Sequence, residues 1–164
     1  MDNMQYLHPR KYWATVSTLL PLYEKFLDNI GVDPEVKKLI INQIKTRSRG
    51  APLIYYILQN IANLTFWILI NLVSIYIWEK LKPTRKWENK LETQLEELAK
   101  EIEKLKKEVK KMELYTKSAN TYIKLAEILL NSKPEDMAKL IDDKDKEKIA
   151  KLIETNLSVE ELPF

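Results

Sequence analysis

The 164-residue chain has no cysteine, two glycines and one histidine. Without cysteine there can be no disulfide and no thiolate nucleophile or ligand. Two glycines, Gly31 and Gly50, are too few for a P-loop or a dinucleotide-binding fingerprint, which need glycine where backbone meets phosphate. His8, beside Pro9, has no second histidine or cysteine to complete a metal site. Acid–base catalysis needs a positioned partner, and the sequence offers His8 none. The start of the chain lacks an apolar stretch behind basic residues, so no cleavable signal peptide is expected. Excess charge is lacking as well: 27 Lys and Arg stand against 24 Asp and Glu, a net +3, which gives no electrostatic case for nucleic acid. No run alternates as a strand would, and no segment repeats with a solenoid period. What is abundant is Lys, Glu and Ile, a bias expected of a thermophilic prokaryote or its virus.

Against that charged background one stretch stands out. Ala51 to Trp78 is 28 residues without a charge. About 20 apolar residues at 1.5 Å rise cross a ~30 Å hydrocarbon layer, so the stretch is a candidate transmembrane helix, and residues 51–82 are expected to form it. Tyr55 and Tyr56 near one end and Tyr76 and Trp78 near the other are spaced as two interfacial aromatic belts. Arg47 and Arg49 before the run, and Lys80 and Lys82 after it, are placed to meet head groups. Gly50 can end the preceding helix, Pro52 suits a first turn, and Pro83 should stop the span. Inside the run, Asn60, Asn63, Trp67, Asn71 and Ser74 recur at three and four residues. Such an amide stripe would associate with another helix, because amides in hydrocarbon need partners, and several copies could line a polar pore. The competing reading is a core helix of a soluble protein, which six polar residues (Gln59, Asn60, Asn63, Thr65, Asn71, Ser74) favour. A soluble domain of this size would then have to cover an uncharged helix on every side.

Residues 1–50 read as an amphipathic helical region. Pro9 opens a helix to about Asn29 with apolar residues at helical spacing, Pro21 inside it and Gly31 ending it. Its Lys11–Tyr23 portion could lie in a membrane interface or pack on another helix. Asp33 and Pro34 are N-cap and first residue of a second helix to about Lys45.

After Pro83, residues 83–131 read as a coiled-coil stalk. Leu91, Leu95, Leu98, Ile102, Leu105, Val109 and Met112 occupy seven consecutive a and d positions. Leu, Ile and Val at a with Leu at d favour a parallel two-stranded coil. Glu108 facing Glu113 argues against two strands, and an antiparallel hairpin within one chain is the alternative. The register continues through Thr116, Ala119, Ile123, Ala126 and Leu130, with Tyr115, Tyr122 and Leu129 beside it. Residues 132–164 read as short helices, with capping boxes at Ser132–Glu135 and Ser158–Glu161 and a cap at Asp143. Asp143, Asp145, Glu147 and Glu154 fall at calcium-loop spacing. Lys148 stands where that loop needs glycine, and a capped, solvated helix explains the run better. The basic run Lys104, Lys106, Lys107, Lys110 and Lys111 alternates with glutamates as a solvated helix face does.

The expected fold is all-α: a single transmembrane helix followed by a coiled-coil stalk and short C-terminal helices. The expected protein is not an enzyme. Its leading role is a membrane-anchored, self-associating scaffold of a viral envelope or membrane assembly, with lipid and further copies of itself as partners. It would bind neither nucleic acid nor a small-molecule substrate, and it would need no cofactor. One alternative is a small sensor–effector whose C-terminal helices bind a ligand or partner and control an oligomeric pore. A second is a soluble helical interaction protein. Basic residues within ~18 positions tie across the run, so orientation is open, with the C-terminal part expected on the cytoplasmic side.

Overall fold

A computed structural model describes residues 9–46, 53–81, 85–110 and 116–155, and these form seven α-helices and no strand. They are α1 (Pro9–Asn29), α2 (Pro34–Lys45), α3 (Leu53–Leu81), α4 (Arg85–Val109), α5 (Thr116–Leu130), α6 (Pro134–Lys139) and α7 (Asp143–Thr155). The all-α class is as expected. His8, Arg47, Arg49, Gly50, Pro52, Lys82, Pro83, Met112, Ser158 and Glu161 lie outside the described residues, as do the side chains of Trp78 and Lys80.

Local chemistry sets the first helix boundaries where the sequence places them. Gly31, at φ +80°, follows α1 in the left-handed region. The Val32 N–H then reaches the Leu27 carbonyl and the Gly31 N–H the Asp28 carbonyl, a Schellman end that satisfies the last carbonyls of α1. Asp33 Oδ1 accepts from the Glu35 N–H at 2.9 Å, and Pro34 needs no partner as the first residue of α2. Two later boundaries move by one residue. Asp136, not Glu135, accepts from the Lys133 N–H at 3.1 Å, while the Ser132 hydroxyl turns back to the Ile128 carbonyl. Asp142, not Asp143, caps α7 by accepting from the Asp145 N–H at 2.9 Å.

The centre of the fold is α3. Helices α2, α4, α5, α6 and α7 pack along it, and α1 reaches it through Tyr23, whose ring meets Phe66 edge-on at 5.4 Å between centroids. Every residue from Thr65 to Ile75 is buried. Three full turns without an exposed position leave no face of this segment to water. One helix, Leu53–Ile77, is long and apolar enough to cross a membrane, and 72% of its most apolar window is buried inside the chain. The difficulty raised by the sequence is thereby answered in part: the chain covers the uncharged helix on every side from Thr65 to Ile75 by laying amphipathic helices around it, while Leu53 and Asn60 in its first half stay exposed.

The stalk residues take a different partner from the one expected. Leu98, Ile102 and Leu105 are buried, and Leu91, Leu95 and Val109 pack partly buried against the same core. That core belongs to their own chain, because α4 packs on α3 and α5. The heptad identified the buried face correctly, but α4 ends at Val109 and α5 begins at Thr116 as a separate helix, so residues 83–131 are not one continuous stalk. On α5 the buried set is Ala119, Tyr122, Leu125, Ala126 and Leu129, while Ile123 and Leu130 are half-buried. Its core face is therefore rotated about one position towards the row of Tyr122 and Leu129. Truncating a buried leucine removes its contacts and leaves a cavity, so Leu98→Ala and Leu105→Ala should each lose ~2–5 kcal/mol of folding stability in urea. Sedimentation should show the folded fraction's association state unchanged; dissociation of an oligomer would instead place the seam between copies.

Candidate functional site

The polar groups that hold the cover on α3 are few and specific. On the α1 side, the Tyr23 and Thr65 hydroxyls are 2.7 Å apart, both buried. Burial holds the Tyr23 phenol far above its ordinary value, with the Thr65 hydrogen bond opposing, so it stays neutral. On the α2 side, Gln59 Nε2 donates to the Thr46 carbonyl at 2.6 Å and the Gln43 carbonyl at 3.2 Å. The Tyr122 hydroxyl of α5 donates to Gln43 Oε1, and burial raises this phenol as well, helped by nearby Tyr23 and Tyr55. On the α4 side, Asn71 Nδ2 donates to Gln94 Oε1 at 3.3 Å, both residues buried. These four links join α1, α2, α4 and α5 around the central helix.

The expected amide stripe is divided by this arrangement. Asn60 is exposed. Asn63 donates to the Gln59 carbonyl at 3.0 Å and Ser74 to the Ile70 carbonyl at 2.7 Å, both within α3. Trp67 is buried with its ring edge-on to Phe66 at 4.8 Å. Asn71 crosses to another helix, and that helix is α4 of the same chain. Of the expected interface aromatics, Tyr55, Tyr56 and Tyr76 are half-buried, and Tyr55 and Tyr56 stand edge-on at 6.4 Å.

The C-terminal helices are fastened at a second place, which the sequence did not reveal. Lys25 of α1 sits 3.3 Å from Asp145 Oδ2 and 3.4 Å from Asp142 Oδ2 at the start of α7. Asp145 is a buried carboxylate, its side chain 4% exposed, and Lys148 stands 3.7 Å from its other oxygen. Asn29 Nδ2 adds a bond to the Leu140 carbonyl at 3.1 Å. A cleft of about 270 Å³ opens beside this clasp, lined by Leu22, Lys25, Asp28, Leu140, Asp142 and Asp145 among others. The bond to Asp145, then the charges of Asp145 and Asp142, hold Lys25 above the usual lysine value. The Asp145 backbone N–H, then Lys25, hold Asp142 below the usual carboxylate value.

The titratable groups that line this cleft are Lys25, Asp28, Asp142 and Asp145, and Lys25 is engaged in ion pairs with the last two. Among the described residues no group of three or more His, Asp or Glu is arranged to hold a metal ion. The residues at calcium-loop spacing, Asp143 to Glu154, are coiled into α7 and cannot wrap an ion. Lys25 and Asp145 are 120 residues apart, so no local pattern could pair them. The signal that existed was Gln43 and Gln94, amides beside the apolar face of their helices, which require partners once buried. Comparison with protein-family models, curated proteins and solved structures finds no match for this chain.

Two predictions follow from these contacts. Asn71→Leu strands the buried Gln94 carbonyl and should destabilise the fold by ~1–3 kcal/mol. Asn71→Leu with Gln94→Leu should recover most of that loss in the same denaturant titration, since two apolar groups then meet; no recovery would mean Asn71 serves another partner. The clasp has a defined pH window. Asp142 stabilises the fold above the ordinary aspartate value of ~3.9, and the effect is lost as pH falls through its depressed folded value. Lys25 stabilises below the ordinary lysine value of ~10.4, and the effect is lost as pH rises through its raised folded value. The melting temperature of Lys25→Met should therefore lie below the parent's at pH 7, and the two should converge as the pH falls through the depressed folded value of Asp142. A gap that persists in acid would assign the role to the packing of the lysine stem.

Proposed function

We propose that this protein is a non-enzymatic membrane effector, which carries a bilayer-crossing helix beneath its own amphipathic helices and releases it into lipid when the cover opens. One observation carries the reading: from Leu53 to Trp78, α3 carries no charge on any face, within an uncharged run of 28 residues that could cross hydrocarbon. A helix serving only a soluble core ordinarily keeps a charged outer face, as α1, α2, α4 and α7 do. The polar side chains of α3 add support. Asn63, Thr65 and Ser74 each bond a carbonyl of α3 itself, so those partners travel with the helix into any solvent.

In this reading α6 and α7 are the sensing part. They rest directly on α3 and are held to α1 by ion pairs from the exposed Lys25 to the exposed Asp142 and the buried Asp145, which salt, pH or a ligand in the neighbouring cleft can weaken. Opening would also free the faces of α4 and α3 that now close on each other. Leu91, Leu95, Leu98, Ile102, Leu105 and Val109 could then pair between copies, with Asn60 and Asn71 adding weaker contacts in lipid. Single-pass membrane residence and self-association belong to that opened state, with the C-terminal part remaining on the aqueous, cytoplasmic side. A second reading, a permanently soluble helical interaction protein, is favoured by the links from Thr65, Gln59 and Asn71 to neighbouring helices.

The two readings separate with a variant that keeps only Trp67, the other tryptophans replaced by Phe. It is mixed with lipid vesicles at pH 7 and in acid below the depressed folded value of Asp142, where the clasp loosens. Insertion should give Trp67 quenching by acyl-chain bromines, protein that resists alkaline carbonate and leakage of a trapped dye, all stronger in acid. Protein that stays in the aqueous phase, unquenched at both pH values, would establish the soluble reading instead.

A further inference from the structure

The two halves of α3 are covered unequally. Nothing from Thr65 to Ile75 reaches water, but Leu53 is 63% exposed, Asn60 is exposed, and Tyr55, Tyr56, Asn63 and Leu64 are half-buried. Leu53, Tyr56, Asn60 and Leu64 follow one another at three and four residues, which places them on one face. This end of α3 therefore presents an uncharged strip to solvent, with a leucine at its tip and two tyrosines beside it.

Lysines frame that strip. Helices α3 and α4 pack together with three residues between them, so they run antiparallel. The Asn71–Gln94 bond sets their level. Sixteen residues back along α3 is Tyr55, and sixteen forward along α4 is Lys110, so Lys106, Lys107 and Lys110 lie level with the tyrosines, all exposed. On the other side, Gln59 bonds to the Thr46 carbonyl, which brings the exposed Lys45 at the end of α2 to the same end of the bundle. The acidic residues there are Glu101, 3.0 Å from Lys104, Glu103, 3.8 Å from Lys106, and the half-buried Glu108. Lys45, Lys107 and Lys110 have no carboxylate partner among the described residues.

We propose that this end of the bundle is the docking surface for a bilayer rich in anionic phospholipid. Leu53 enters the head-group boundary, Tyr55 and Tyr56 sit at its level, and Lys45, Lys106, Lys107 and Lys110 meet the phosphates. An uncharged tip, interfacial aromatics and a surrounding ring of lysine complement the three layers such a surface offers. The inference rests on the membrane reading above and adds to it which end arrives first and which lipid class is preferred. It also orders the events: docking through exposed groups needs no opening of the core, so it precedes insertion.

The test uses the full chain with vesicles of neutral phosphatidylcholine or of phosphatidylcholine containing about a third phosphatidylglycerol, at pH 7, read by co-sedimentation at two salt concentrations. The parent should bind the anionic vesicles in preference, and high salt should weaken binding. Lys107→Gln and Lys110→Gln should each reduce affinity about fivefold. Leu53→Asp, at an exposed helix start where aspartate is well tolerated, should reduce it further with the circular dichroism melt unchanged. Equal binding by parent and lysine variants would overturn the docking surface, and retained carbonate-resistant insertion in the same samples would leave the membrane function standing. Loss of all vesicle association in the parent would overturn both. A concentration-dependent dimer abolished by Leu53→Asp, without lipid binding, would make the strip a contact between copies and overturn the proposal.

Discussion

A helical segment with no charged face has to be kept from water, and the rest of this fold is arranged to meet that constraint on every side from Thr65 to Ile75. Two amphipathic helices before α3 and four after it turn their apolar faces inward. Their charged faces make the outer surface, which explains how a chain so rich in Lys and Glu also holds so apolar a centre. Apolar packing on a smooth cylinder of Ile and Leu is not very selective as to rotation or height. The buried polar links supply that selection: Tyr23 must find Thr65, and Gln94 must find Asn71, or each leaves a buried group unpartnered.

How far this could be read in advance depended on whether the cause was local. Asp33–Pro34 and Gly31 announce the α1–α2 corner because capping and a positive φ are decided within a few residues. The seam on α4 was legible because helical period shows which face avoids water. What period cannot show is the identity of the other surface. Leu98 and Ile102 have the same spacing whether they meet a second copy or α3 of their own chain, and the structure has them meet their own chain. The uncharged run had the same ambiguity, since hydrocarbon and a sheath of amphipathic helices select the same residues. The clasp was invisible because Lys25 and Asp145 are brought together only after all intervening helices are placed.

The proposed move into lipid would make different demands on the polar residues of α3. Thr65, Ser74 and Asn63 take acceptors from the preceding turn of their own helix, and those bonds are indifferent to what surrounds them. Gln59 and Asn71 rely on Gln43, Thr46 and Gln94, so leaving the bundle obliges them to find replacements. Tyr23 of α1 would likewise lose its bond to Thr65.

The order of the helices along the chain has a consequence during synthesis. The last residue of α3 is Leu81, whereas the cover supplied by α4 to α7 is complete only at Thr155. Those 74 residues take a ribosome roughly 4–15 s at ~5–20 residues per second. At the start of that interval the apolar helix has only α1 and α2 to shield it, and each later helix adds its share of the cover as it is made. The nascent chain thus exposes for seconds a segment that the finished protein largely buries.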